Sequence, residues 1–199
     1  NIKELFRPGH ADYVYLQKYG RRDWRGSGRA SGRETAGRVA AGAVARKELA
    51  SRGVSLFAYT YRAAGVQCKR VVPEAIEENP LRACDPDVVE EMMRRVEAKK
   101  EEENSVGGVI ECRIRGVNPG LGEPVFDKLD ALLAHAMLSI GSVKGIEIGS
   151  GFGAADMTGK EHNDEMGPDG FLSNNAGGII GGISTGEEII FFFAVKPTS

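Results

Sequence analysis

Six arginines and no lysine fall between positions 21 and 38: Arg21, Arg22, Arg25, Arg29, Arg33 and Arg38. A guanidinium makes forked hydrogen bonds to carboxylate or phosphate, whereas an ammonium is a point charge, so this bias favours oxyanions held in fixed geometry. The segment RGSGRASGRET, residues 25–35, runs into a stretch of helical composition. Its glycines allow close backbone approach, and a helix N-terminus would add partial positive charge beside Arg29 and Arg33, as in a phosphate cradle. The common nucleotide motifs are not met. The spacing from Gly26 to Gly32 is G-x-G-x-x-x-G, no clear strand precedes it, and the G-K-[ST] of a P-loop is missing.

Imidazole exchanges protons near neutral pH, so the histidines are the natural acid–base candidates. There are three. His135 falls on the apolar stripe of an expected helix and reads as a core or interface residue, and His162, in GKEHNDE, reads as a solvated loop residue. His10 would read as a surface or core filler were it not for the block around it, discussed below. Asp127 and Asp130 are three apart and read as the acidic first turn of a helix rather than as a catalytic pair.

These side chains need elements to position them. Residues 33–51 have helical composition, with Ala36, Val39, Ala40, Ala43 and Val44 on one side and Gly53 past the end, and residues this small imply very close packing. Asp85-Pro86 reads as an N-cap followed by proline at the first helical position, opening a helix through Met92 and Val96 that ends in the solvated run EAKKEEEN. A third helix is expected over residues 124–140, its stripe of Leu129, Leu132, Leu133, Ala136, Met137 and Ile140 belonging to the core. Ile110, Cys112 and Ile114 alternate with Glu111, Arg113 and Arg115 as in a half-buried strand, while VSLFAYTY and EIIFFFAV are apolar on both faces and read as sandwiched strands. An α+β layered fold follows.

Composition bounds the function. The chain has 199 residues, 41% of them hydrophobic, enough for a single globular domain spanning 1–199. No apolar run approaches the ~18–20 residues of a membrane span and no leader opens the chain, so a soluble protein without a membrane partner is expected. Cys68, Cys84 and Cys112 show no C-x-x-C spacing, which implies neither a disulfide framework nor a metal site and suits a cytoplasmic setting. The net charge of -2 hides an asymmetry: residues 1–70 hold 15 Lys and Arg against 5 Asp and Glu, and the remainder 11 against 23.

Several blocks in register carry a resemblance. FRPGHADY, RGSGRASGRETAGRVAAGAVA, GLGEPVFDKLDALLAHAMLSIG, VKGIEIGSGF and SNNAGGIIGGISTG, followed by KPTS, are similar to the signature blocks of the chorismate synthases, in that family's order and along essentially the whole chain. The resemblance implies a lyase of the shikimate pathway that converts 5-enolpyruvylshikimate 3-phosphate to chorismate and inorganic phosphate by anti 1,4-elimination. It implies reduced FMN as cofactor, with NADPH only if the protein reduces its own flavin, a homotetramer, and a β-α-β sandwich whose helices lie between antiparallel sheets. Nucleic acid is not an implied partner.

The resemblance also assigns residues. His10 corresponds to one of two acid–base histidines and Arg7 to a substrate contact. Arg29, Ala30 and Ser31 would lie at the flavin, with Ser31 and Arg33 also facing substrate. Gly141 and Ser142, Gly181, and Lys196, Pro197, Thr198 and Ser199 complete the implied flavin site, Lys196 as a partner for the FMN phosphate. Ala30 and Gly32 depart from the family's serine and alanine, and losing one hydroxyl would remove a hydrogen bond worth roughly 0.5–1.5 kcal/mol. The Phe191–Phe193 run is a further departure. Relative to the family pattern, sections before and after the chain are expected to be missing, with the second histidine and several substrate arginines, so weak or absent turnover is expected of residues 1–199 alone. The rival reading is a non-catalytic anion- or RNA-binding module on the same scaffold, suggested by Tyr13, Tyr15, Tyr19 and Trp24 among the arginines.

Overall fold

A computed structural model of the chain describes residues 2–198. Its centre is a five-stranded antiparallel sheet of β1 (Ser55–Ala63), β2 (Val66–Gln67), β3 (Gly108–Arg115), β4 (Val143–Ile148) and, at the C-terminal end, Ile189–Val195. Two short hairpins lie between β4 and that last strand: β5 (Met166–Gly167) with β6 (Gly170–Phe171), and β7 (Ile179–Ile180) with β8 (Ile183–Ser184), which makes the last strand β9. Strand order is β2-β1-β3-β9-β4, so β9 inserts between β3 and β4. The helices are α1 (Asp12–Tyr19), α2 (Glu34–Ser51), α3 (Pro86–Glu101), α4 (Leu129–Leu138) and the single turn α5 (Gly159–His162). The fold is α+β, as the sequence leads one to expect.

Both faces of the sheet are covered, which explains the strands that are apolar on both sides. On one face Tyr59, Cys68, Ile76, Ala83, Cys84 and Met92 form a core with Phe57, Val88 and Val89, bringing in α3. On the other, Ile189 and Phe191 pack with Cys112, Ile114 and Ile146 under Leu129, Leu133 and Met137 of α4. The α3 start is as expected: Asp85 accepts a hydrogen bond from the Asp87 N–H, and Pro86 takes the first helical position. The polar half of β3 is a surprise. Glu111 is not solvated but buried, held by Arg113 Nε at 2.7 Å, and Arg113 also donates to the Tyr59 hydroxyl and to Glu188. A carboxylate buried to this degree is tolerable because it is paired and hydrogen-bonded.

Three expectations need correction. Helix α4 begins at Leu129, not at residue 124, because the N–H of Leu129 donates to the Gly182 carbonyl and the preceding five residues form a tight loop in which Glu123 N–H bonds Asp127 carbonyl. Leu132 and His135 on α4 are exposed; the residues facing the sheet are Leu129, Leu133 and Met137, so His135 is not a core histidine. Helix α2 has no buried residue, and Val39 and Val44 are each 72% exposed, so its small residues do not pack closely against the described part of the chain. The sandwich implied by the resemblance is thus visible from one side, with α2 and the outer face of α4 bare.

Two of the three thiols are suppressed by burial. All three cysteines are free, and burial pushes Cys84 up to about 12 and Cys112 up to about 11, where thiolate is negligible at neutral pH. Met92, with no exposed surface, fixes α3 to the sheet. Truncating it in Met92→Ala should cost about 2–5 kcal/mol through lost transfer energy and the cavity left behind, read as a fall in the urea midpoint at unchanged slope.

Candidate functional site

The loop before α1 is organised around one carboxylate. Asp12, only 3% exposed, receives Arg7 through Nε at 3.1 Å and Nη2 at 3.1 Å, and Arg22 Nη1 at 3.0 Å; His10 Nδ1 lies 2.8 Å from its Oδ1. Arg22 also donates to the carbonyls of Ile2, Lys3 and Leu5, tying down the chain that leads to Arg7. The guanidinium hydrogen-bonded from Arg7, working against burial, holds the Asp12 carboxyl down to about 2.

Arg7 reaches further, with Nη2 donating to Ser27 Oγ at 2.5 Å, so the block holding His10 meets the arginine-rich loop. That loop is not the open cradle its glycines suggest. Asp23 accepts hydrogen bonds from the N–H groups of Arg25, Gly26 and Gly28, filling the nest a phosphate would occupy. Ala30 ends a 3-10 turn, and Ser31 accepts the Arg33 N–H. Arg33 donates to the Gly26 carbonyl at 2.8 Å, and Arg29 pairs with Glu34 at 2.7 Å while its side chain stays 81% exposed. The anion contacts open to this region are therefore guanidinium groups rather than loop amides.

A second cluster forms at one end of the sheet. Arg38 of α2 donates to the hydroxyl and carbonyl of Ser139, at the end of α4. Two residues on, Gly141 and Ser142 turn into β4; Ser142 has φ 71, and its carbonyl accepts the Lys196 N–H at 2.9 Å. Lys196 Nζ reaches the Pro197 carbonyl, and the Thr198 carbonyl accepts from Ser105 Oγ. The structure thus brings Gly141, Ser142, Lys196, Pro197 and Thr198 together and joins them through Arg38 to the helix that Arg33 precedes. Ser199 lies outside the described residues.

Gly181 stands apart. It and Gly182 form the two-residue turn of the β7–β8 hairpin with φ 62 and 88, the positive pair such turns require. The turn abuts the start of α4, whereas Gly141 follows its end, so the length of α4, about 15 Å, separates them. A Cβ added at Gly141 or Gly181 would meet nothing within 4 Å. Both glycines therefore have open space beside their backbone.

Sequence reasoning missed Asp12, Arg22, Asp23 and Arg38 as organisers. A signal for Asp12 and Asp23 was there: they are two acids in a strongly cationic stretch. The aromatic residues do not form a stacking platform; Tyr13 packs edge-on against Phe6, Tyr15 against Tyr19, and Trp24 under Arg25. A cavity of about 380 Å³ lies on the α3 face; of its charged walls Glu111 pairs with Arg113 and Arg70 with Asp85, and Lys69 also lines it. Asp164 organises the 173–176 turn by accepting from Ser173, Asn175 and Ala176. Among the described residues no group of three or more His, Cys, Asp or Glu is placed to hold a metal ion, and no helix is long and apolar enough to cross a membrane.

Comparison with known proteins gives a consistent picture. The family model described as chorismate synthase matches residues 1–199. The chorismate synthase of Syntrophobacter fumaroxidans (strain DSM 10017 / MPOB) is 57% identical over 196 residues, covering 98% of this chain and 56% of the relative. That of Desulfatibacillum aliphaticivorans is 53% identical over 196 residues, covering 98% and 55%. A crystal structure of chorismate synthase matches with a TM-score of 0.86 at 36% identity, over 94% of this chain and 63% of that one. The chain spans about half the length of the curated relatives it matches.

The Asp12 geometry predicts an acid signature. Its folded carboxyl titrates at about 2 against an ordinary 3.8, so its contribution to stability is complete above about 3.8 and drains away as pH falls toward 2. Asp12→Asn should lower stability at neutral pH and flatten the stability–pH curve between about 4 and 2, measured by urea titration at a series of pH values.

Proposed function

Because the chain belongs to the chorismate synthase family, we propose that it forms part of an enzyme that eliminates phosphate from 5-enolpyruvylshikimate 3-phosphate to give chorismate. The observation that carries this is the joining of His10, Arg7 and the 27–33 loop: an acid–base imidazole sits beside a guanidinium that bridges to an arginine-rich segment. A polyanionic substrate needs this pairing of fixed cations with a proton-exchanging group. Arg7 and Arg33 bind and orient the substrate's anionic groups, Ser31 adds a hydroxyl, and His10 gives or takes a proton at the ligand it faces.

The residues present also suit a flavin mononucleotide. The open backbone at Gly141 gives clearance to a flat ring, with Gly181 the length of α4 away from it, Arg29 is exposed and cationic, Ala30 and Ser31 line the same loop, and Lys196 with Pro197 and Thr198 supplies a cationic edge next to Ser142. A reduced flavin held by these residues would supply electron density for loss of the phosphate. The protein's part is to hold charge and exclude water around that event. NADPH enters only if the protein also reduces its own flavin. In this reading residues 1–199 act as one domain, the functional unit is a cytoplasmic homotetramer, and further substrate cations and the second acid–base group come from outside these residues.

The test is phosphate release and chorismate formation under anaerobic conditions, with reduced FMN, by the protein that carries this chain. His10→Ala should lower kcat by about 10²–10⁴-fold, the range removed with a general acid or base, and Arg33→Ala should raise KM. Turnover that is unchanged in His10→Ala, or no chorismate from the wild type, overturns the reading. Salt-sensitive RNA binding in place of turnover would favour the anion-binding module instead.

A further inference from the structure

Asp12 and Arg7 do more to His10 than surround it. His10 Nδ1 is 2.8 Å from Asp12 Oδ1, and Asp12 is ionised because Arg7 and Arg22 both hydrogen-bond to it. The contact is at a close ion-pair distance, and a carboxylate oxygen that near attracts an N–H and repels a bare nitrogen, so the proton of the neutral ring belongs on Nδ1. Arg7 Nη2 is 3.1 Å from Nδ1 and 3.1 Å from Nε2. A nitrogen equidistant from both ring nitrogens cannot lie in the ring plane without striking Cε1 between them. Arg7 therefore lies over the ring face and leaves the in-plane lone pair of Nε2 unused.

We propose that Asp12 is a positioning residue that fixes His10 in the Nδ1–H tautomer, so that Nε2 is the atom at which His10 exchanges its proton. The same carboxylate holds Arg7, so one buried group sets the separation between the proton-exchanging nitrogen and the anion-binding guanidinium. Arg22 completes the device. It is 9% exposed and keeps Asp12 in place from the side away from His10 by anchoring it to the chain at residues 2–5. This deepens the proposed function, on which the relevance of His10 to proton transfer rests.

The test is long-range proton–nitrogen correlation NMR, at alkaline pH, on the nitrogen-15-labelled protein that carries this chain. The His10 signals are those lost in His10→Gln. The wild type should show His10 protonated at Nδ1 and bare at Nε2. Asp12→Asn and Asp12→Ala should lose that preference and shift toward the Nε2–H form, while Arg22→Lys, which keeps a cation on the carboxylate without touching His10, should retain it. A wild-type ring protonated at Nε2, or a tautomer population unchanged by either Asp12 substitution, overturns the proposal. The wild-type measurement stands even if an Asp12 variant fails to fold. Because tautomer is read without substrate or turnover, a failed elimination assay alongside an Nδ1–H ring would count against the activity and not against this assignment.

Discussion

The register of β9 between β3 and β4 is the constraint on which the rest depends. Ile110 faces Phe193, Cys112 faces Phe191 and Ile114 faces Ile189 on one side, while Phe193, Phe192 and Phe191 meet Ile146, Glu147 and Ile148 on the other. A slip of one residue would turn Phe191 and Phe193 away from α4 and exchange the faces of the whole strand. It would also move Lys196, whose position beside Ser142 is set by where β9 ends. The cluster at that end of the sheet is thus an outcome of core packing. The chemistry-bearing residues there are short extensions of buried strands, which is the kind of support a precisely placed ligand contact needs.

The arginine-rich segment behaves differently, because most of its charge is spent on the protein itself. Arg22 anchors the preceding loop, Arg29 pairs with Glu34, Arg33 bonds the Gly26 carbonyl, and Arg38 bonds Ser139. Each is nonetheless at a surface where a stronger acceptor could compete, apart from the largely buried Arg22. An exposed pair such as Arg29 with Glu34 contributes little to stability, so exchanging that carboxylate for a ligand phosphate costs the fold little. Arrangements of this sort keep guanidinium groups oriented while leaving them open to exchange.

What could be read from the sequence follows the range of the interactions involved. Helix α3 was legible because its start is local: Asp85 and Pro86 act on their immediate neighbours. The two-faced apolar patterns of β1 and β9 were legible because burial on both sides leaves a run rather than an alternation. The start of α4 was not, since its first N–H is satisfied by Gly182, far along the chain. The polar side of β3 misled for the same reason, its partners being Tyr59 on β1 and Glu188 just before β9. In the candidate site, residue identities came from the resemblance, but the loop mechanics did not: a glycine-rich loop reads as a phosphate cradle until Asp23 is seen occupying its amides. Asp12 stood in a quoted block and drew no notice, because one carboxylate among cations looks like simple charge balance.

The bond from Leu129 to Gly182 has a temporal side. Chains are made from the N-terminus, so α4 leaves the ribosome well before the hairpin that completes its first turn. Until then the faces of Leu129, Leu133 and Met137 have neither β9 to cover them nor a fixed helix start. Closing that long loop brings the hairpin, β9 and the end of the sheet into place as one late event. The two open glycines of the candidate site therefore acquire their relative positions only after the hairpin has been made and has closed onto α4, so their spacing waits on a long-range contact rather than on local folding.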